Sequence, residues 1–165
     1  MCWRARRSTR SLGDMTLHRA TATLLALLTT VAYAANEGSV AVAAKAFYPD
    51  ATWQERSVLR GDFSCRGKSD VAIIGTSVEF IVVAIFTGGL DSTPQILKYS
   101  TKVRTAKTAV LTKESLDLSP EELEGMPEGF KASKTCSGLN LSDGEVDSAH
   151  IYWNAKYQTF TDWTL

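Results

Sequence analysis

Two adjacent runs rich in β-branched residues set the tightest limit on how this chain folds. Val71-Ala72-Ile73-Ile74-Gly75 and the longer SVEFIVVAIF, from Ser77 to Phe86, are joined only by Gly75-Thr76-Ser77. Branched and aromatic side chains fit a pleated, packed surface better than a helix, so both runs predict strands. The short glycine-bearing joint predicts a hairpin turning at Gly75 to Ser77.

The rest of the chain extends that pattern. Gln95 to Ser100 predicts a short strand through Ile96, Leu97 and Tyr99. Thr101 to Thr112 predicts an exposed strand, with Lys102, Arg104 and Lys107 as the charges that keep an edge from pairing further. Lys134 to Leu141 is another strand, followed by a turn across Asn140 to Asp147. Val146 to Trp153 alternates, with Ser148, His150 and Tyr152 on one face and Ala149, Ile151 and Trp153 on the other. Tyr157 to Leu165 is the last strand, and Trp153, Phe160 and Trp163 are expected to close one end of the core.

Helical signals are few. SVAVAAKAFYP, residues 39–49, suits a strand or a helix, and Pro49 ends either. Ala51 to Leu59 reads as a weak helix. Ser119-Pro120-Glu121-Glu122 is a helix start, with a capping serine, a proline in the first turn and an acid three residues on. Gly125 and Pro127 stop it after one or two turns. The fold class expected is mainly β, a β-rich α+β arrangement. Its body is an antiparallel curled sheet or sandwich with one or two short helices.

At 165 residues and 18.0 kDa the chain has material for one domain. Leu17 to Ala34 reads as a secretory signal, with His18 and Arg19 before an apolar stretch and Ala32-Tyr33-Ala34 as the small-x-small cut. The apolar stretch is shorter than the roughly 20 residues that cross a bilayer, so no transmembrane anchor is expected in the mature chain. Residues 1–34 are therefore assigned to the signal peptide, residues 1–14 being an over-extended start if Met15 initiates, and residues 35–165 to a single β-rich domain. The expected location is the periplasm or the secreted fraction, after cleavage near Ala34.

Charge divides the same way. Eighteen basic residues balance eighteen acidic ones overall, yet residues 1–34 carry five Arg against Asp14 alone. The mature part is thus net acidic, which argues against a nucleic-acid partner. It also retains two cysteines, Cys65 and Cys136. An even count in an oxidising compartment predicts one disulfide. With one mature histidine and no CxxC or HExxH spacing, a zinc site is not expected.

The one candidate ion loop is Asp62-Phe63-Ser64-Cys65-Arg66-Gly67-Lys68-Ser69-Asp70. Asp62, Ser64 and Asp70 stand at loop positions one, three and nine, and Gly67 at six, the spacing that calcium loops use. Arg66 holds position five and Ile73 position twelve, where carboxylates are wanted. The leading reading is a loop whose aspartates, Asp62 and Asp70, brace backbone amides or pair with Arg66; bound calcium is the alternative. No other cofactor is expected.

GDFSCRGKSDVAII resembles the GDLNGDGxxDxAxx loop-and-strand of FG-GAP-type repeats and of small exported bacterial β-rich proteins of unknown function. Asp62, Gly67 and Asp70 match the loop frame, while Ser64 and Arg66 stand where the pattern has Asn or Asp. Asp147 to Trp153 and Phe160 to Trp163 take the places of that group's late aromatic strands. The resemblance implies an exported β-rich domain and no particular activity.

No GxSxG elbow occurs, and His150 has no carboxylate partner evident from local spacing, although Asp143, Glu145 and Asp147 lie close in sequence. No catalytic residue is assigned. The function expected is a non-catalytic exported interaction or inhibitor-like module, whose partner is a protein or a cell-envelope component. One alternative is a small periplasmic hydrolase using His150 with a nearby Asp. The other is a calcium-stabilised structural domain.

Overall fold

The computed structural model describes residues 37–119 and 126–164. The leader, its cut at Ala34 and the helix expected from Pro120 onward lie outside the described residues. In chain order the elements are helix α1 (37–47), β1 (Thr52–Trp53), a 3-10 turn (Glu55–Ser57), β2 (Leu59–Gly61), β3 (Asp70–Thr76), β4 (Phe80–Phe86), β5 (Gln95–Ser100), β6 (Val110–Leu116), β7 (Ser133–Ser142), β8 (Ala149–Asn154) and β9 (Thr159–Trp163). The described residues form one compact unit.

The fold is mainly β, with two antiparallel sheets packed as a sandwich and, among the described residues, one short helix. Sheet A runs β1–β3–β4–β5, with β2 also paired to β3; sheet B runs β6–β7–β8–β9. The predicted hairpin is its centre, registered from Val71 opposite Phe86 to Thr76 opposite Ile81. Its joint lies slightly later than the glycine suggested. The Ser77 amide donates to the Phe80 carbonyl at 2.8 Å, and the Phe80 amide donates to Ser77 Oγ at 3.1 Å. Val78 is therefore at the tip and 95% exposed, although its side chain reads as strand.

The unbroken apolar runs follow from burial on both faces of β3 and β4. Ala72, Ile74, Ile81, Val83 and Ile85 face sheet B, meeting Leu111, Leu139, Leu141, Ile151 and Phe160. Val71, Ile73, Ala84 and Phe86 face the other way, against Val40 and Ala44 of α1. Val40 and Ala44 are one helical turn apart, so the stretch that suited either structure is helix because that spacing covers sheet A. Phe47 adds an edge contact to Phe86, ring centres 6.4 Å apart.

Ala51–Leu59 is not an α-helix; its helical part is the single 3-10 turn Glu55–Ser57 between β1 and β2. Trp53 pairs with Gly75, and the Gln54 amide donates to the Ile74 carbonyl, so the ladder along β3 wins over weak helical spacing. Gly75 is required there, since a Cβ would sit 2.7 Å from the Trp53 ring. Thr101 to Thr108 is likewise not a strand; the strand begins at Val110 and continues to Leu116. Arg104 is no edge charge either. It is 6% exposed, donates to the carbonyls of Leu141 (3.5 Å) and Asp147 (2.6 Å), and lies over the Tyr99 ring. Satisfying one carbonyl near the end of β7 and one in the β7–β8 connection holds this cation inside. That connection starts later than expected, since Asn140 to Ser142 still belong to β7.

One side of the sandwich is joined by a single amide. Gln95 of β5 donates from Nε2 to the Phe160 carbonyl at 2.6 Å. Its Oε1 accepts from the Phe160 amide at 2.6 Å and from Thr159 Oγ1 at 2.8 Å. The side chain thus pairs with β9 as a strand backbone would, and the edges of the two sheets satisfy one another.

Candidate binding cleft

The aspartate loop is built around backbone amides. Asp62 Oδ1 accepts from the Arg66 amide at 2.9 Å, and its Oδ2 from the Gly67 amide at 2.8 Å. Buried Asp70 accepts from the Ser64 amide at 2.7 Å and, with its other oxygen, from the Gly88 amide at 2.8 Å. Ser64 Oγ accepts from Arg66 Nε at 3.0 Å. Every oxygen proposed for an ion therefore faces an N–H donor, and a cation here would compete with those donors. Among the described residues no group of three or more His, Cys, Asp or Glu is placed to hold a metal.

The loop is stapled to sheet B. Cys65 and Cys136 form a disulfide with Cα atoms 5.2 Å apart, spanning 71 positions of sequence. Beside it, the Ser137 amide donates to the Asp62 carbonyl at 3.2 Å. The predicted pairing is thus present, and it ties the end of β2 to β7.

A cleft of about 580 Å³ opens next to this staple. Arg66 and Gly67 of the loop form one wall, Lys131, Ala132, Ser133, Thr135 and Cys136 a second, and Trp153, Ala155 and Gln158 a third. Arg66 lies over the Trp153 ring, 5.4 Å from its centre, while Phe160 meets the same ring edge-on at 5.1 Å. Trp153 and Phe160 thus pack together as expected, but Trp163 does not join them. Strand alternation puts Trp163 on the outer face of sheet B, against Phe130 and Tyr152.

The wall bearing Lys131 is fixed by Glu128 and Gly129. The Glu128 carbonyl accepts from the Tyr152 hydroxyl at 2.9 Å and from Asn154 Nδ2 at 2.8 Å. Its carboxylate pairs with Lys156, which holds it below its ordinary acidity range, with the Tyr157 hydroxyl as a second donor. Gly129 has φ +74° against the Asn154 side chain, a conformation only glycine takes without strain.

His150 lies elsewhere, on the outer face of sheet B. Its Nδ1 is 2.8 Å from Glu114 Oε2, its ring is stacked on Trp163 at 5.2 Å, and Asn140 touches both partners at 3.4 Å. The acid beside it is therefore Glu114, not a neighbouring Asp. Asp143 accepts instead from the amides of Thr105, Glu145 and Val146. Burial raises the Glu114 pKa, and the bond to His150 acts against that rise. The cleft lining contains no histidine.

Sequence reasoning missed Glu114, Lys131 and Gln158. Glu114 and His150 meet only through the pairing of β6 and β8 with β7, which no local spacing encodes. Among the described residues no helix is long and apolar enough to cross a membrane. Comparison with known protein families, with curated proteins and with solved structures gives no match.

Proposed function

We propose that this chain is a non-catalytic exported module, inhibitor-like in build, that holds a protein or cell-envelope partner in the cleft beside Cys65–Cys136. The observation that carries this reading is the construction of the cleft. Its walls are fixed by a disulfide, by aspartate-to-amide bonds and by the Glu128 contacts, while its lining mixes Trp153, Ala132 and Ala155 with Ser133, Thr135 and Gln158. Rigid, mixed linings of this kind suit recognition, because little ordering entropy is lost on binding. The disulfide supports export, since such bonds persist mainly in oxidising compartments. The likeness of the Asp62–Asp70 segment to exported β-rich proteins points the same way.

The test is capture of a partner from envelope or secreted extract by the purified, disulfide-bonded protein, beside an Ala132→Trp variant that fills the cleft. A partner held by the parent and lost by the variant supports the reading. Equal capture by both moves the contact surface elsewhere, and no specific capture contradicts it. The hydrolase alternative draws on the 2.8 Å contact of His150 with Glu114. It requires hydrolytic activity that His150→Ala abolishes, whereas the binding reading requires that variant to capture its partner normally.

A further inference from the structure

We infer that the cleft reads a carboxylate on its ligand, either an acidic side chain or a free C-terminus of a polypeptide, and that Arg66 is the group that reads it. This rests on the binding reading above and adds the chemistry that is recognised.

Arg66 is held on two sides. Its Nε donates to Ser64 Oγ at 3.0 Å, and its guanidinium carbon lies 5.4 Å over the Trp153 ring. Ser64 is itself buried, with its amide fixed by Asp70. These contacts orient the plane of the fork and leave its two terminal nitrogens for a ligand. An arginine placed this way matches the two oxygens of a carboxylate, and less ordering is needed when they arrive. Asp62 and Asp70 are the nearest acids in sequence, one on each side; the oxygens of Asp62 serve the amides of Arg66 and Gly67, and those of Asp70 the amides of Ser64 and Gly88. None of the ion pairs among the described residues includes Arg66.

Charge narrows the ligand further. The lining brings Arg66 and Lys131 together with one carboxylate, Asp62. Two cations offset by one anion suit a singly charged group better than a phosphate dianion, for which more donors are usual. Residues 35–165 are net acidic, whereas the charged groups of this lining are net positive. Trp153, Ala132 and Ala155 accept apolar atoms beside the charge, while Ser133, Thr135 and Gln158 can hydrogen-bond peptide groups. A short polypeptide segment presents both.

The experiment is titration of the full disulfide-bonded protein, watching the Trp153 indole N–H by NMR. Four probes are used: a capped peptide bearing Glu, the same peptide bearing Gln, the Gln peptide with a free C-terminus, and inorganic phosphate. The Glu peptide, the free-C-terminus peptide or both should shift Trp153, and the difference between them identifies the source of the carboxylate. Arg66→Gln should weaken that binding about tenfold or more, the loss expected for charge-assisted hydrogen bonds. Arg66→Lys keeps the charge but not the fork, and should fall between. Arg66 is exposed, so both variants should fold, as checked by their unchanged unfolding midpoints. Equal binding of the Gln and Glu peptides, or equal affinity in Arg66→Gln, overturns the carboxylate assignment while leaving the cleft a binding site. Phosphate binding tighter than either acid-bearing peptide overturns it too. No shift of Trp153 by any probe rejects the inference; if Ala132→Trp also captures the partner as well as the parent does, the cleft is not the contact surface.

Discussion

Sheet A and sheet B use the same antiparallel pairing but meet water differently. The central strands of sheet A are buried on both faces, one against sheet B and one against α1. Sheet B is buried on the face toward sheet A, while its other face carries Thr112, Glu114, Asn140 and His150. A strand covered on both sides has no room for polar chemistry, because unpaired polar groups are costly there. The polar groups have therefore gathered on sheet B and at the loop stapled to it. The cleft and the Glu114–His150 contact both belong to that half-wet sheet.

The largest effect should come from cutting the tie between the sheets. Replacing Cys65 and Cys136 together by Ala removes a closure of 71 positions and should cost about 4 kcal/mol, read from urea unfolding. A cost well below about 2 kcal/mol would mean that the hydrogen bonds around Asp62 and Gln95 hold the halves without the staple.

Truncations should next expose the asymmetry of the faces. Ile73→Ala, toward α1, and Ile74→Ala, toward sheet B, should each cost about 2–5 kcal/mol. In sheet B, inner-face Leu139→Ala should fall in that range, while Thr112→Ala, exposed on the outer face, stays within about 0.5 kcal/mol. Thermal or urea unfolding of the four variants checks this. A small loss for Ile73→Ala would show that α1 covers sheet A only loosely.

The pH dependence should be weaker and of opposite sign in two parts of the molecule. Burial raises the Glu114 pKa, so the folded state holds its proton more tightly than the unfolded chain. Its contribution is neutral below the ordinary value of 4.5 and becomes destabilising as pH rises from there through the folded value. Asp143 is shifted down, first by the Thr105 amide, so its stabilisation is present above the ordinary 3.8 and lost as pH falls through the folded value. Glu114→Gln should remove the first slope and leave the second, as measured by unfolding midpoints across pH 3 to 7, a range of about four units that brackets ordinary carboxylates. Loss of both slopes would mean that the groups are not independent.

The smallest response should be to calcium. Chelator or added calcium should leave the unfolding curve unchanged, because Asp62 and Asp70 already serve four backbone amides. A clear rise of the midpoint with calcium would restore the ion-loop reading.

Legibility in the sequence follows the same division. The hairpin of β3 and β4 stood out because burial on both faces removes every polar interruption. The alternation from Ala149 onward was visible because one face is wet. The disulfide was legible from cysteine count and setting. Arg104 reads as an edge charge because its partners, the carbonyls of Leu141 in β7 and Asp147 in the turn after it, lie 37 and 43 residues away. Val78 was misread because a residue at the tip of a hairpin is free to be apolar. The cleft was hidden for a related reason: Arg66, Lys131 and Trp153 are distant in sequence, and only the staple and the strand order bring them together.

The most direct test of the binding account is the indole spectrum of the ¹⁵N-labelled protein as its captured partner is added. Trp53 reports on sheet A, Trp153 on the cleft and Trp163 on the outer face beside His150. The account predicts that the Trp153 signal moves while Trp53 and Trp163 keep their positions. Movement of Trp163 with Trp153 unchanged would contradict it and place the working surface at His150.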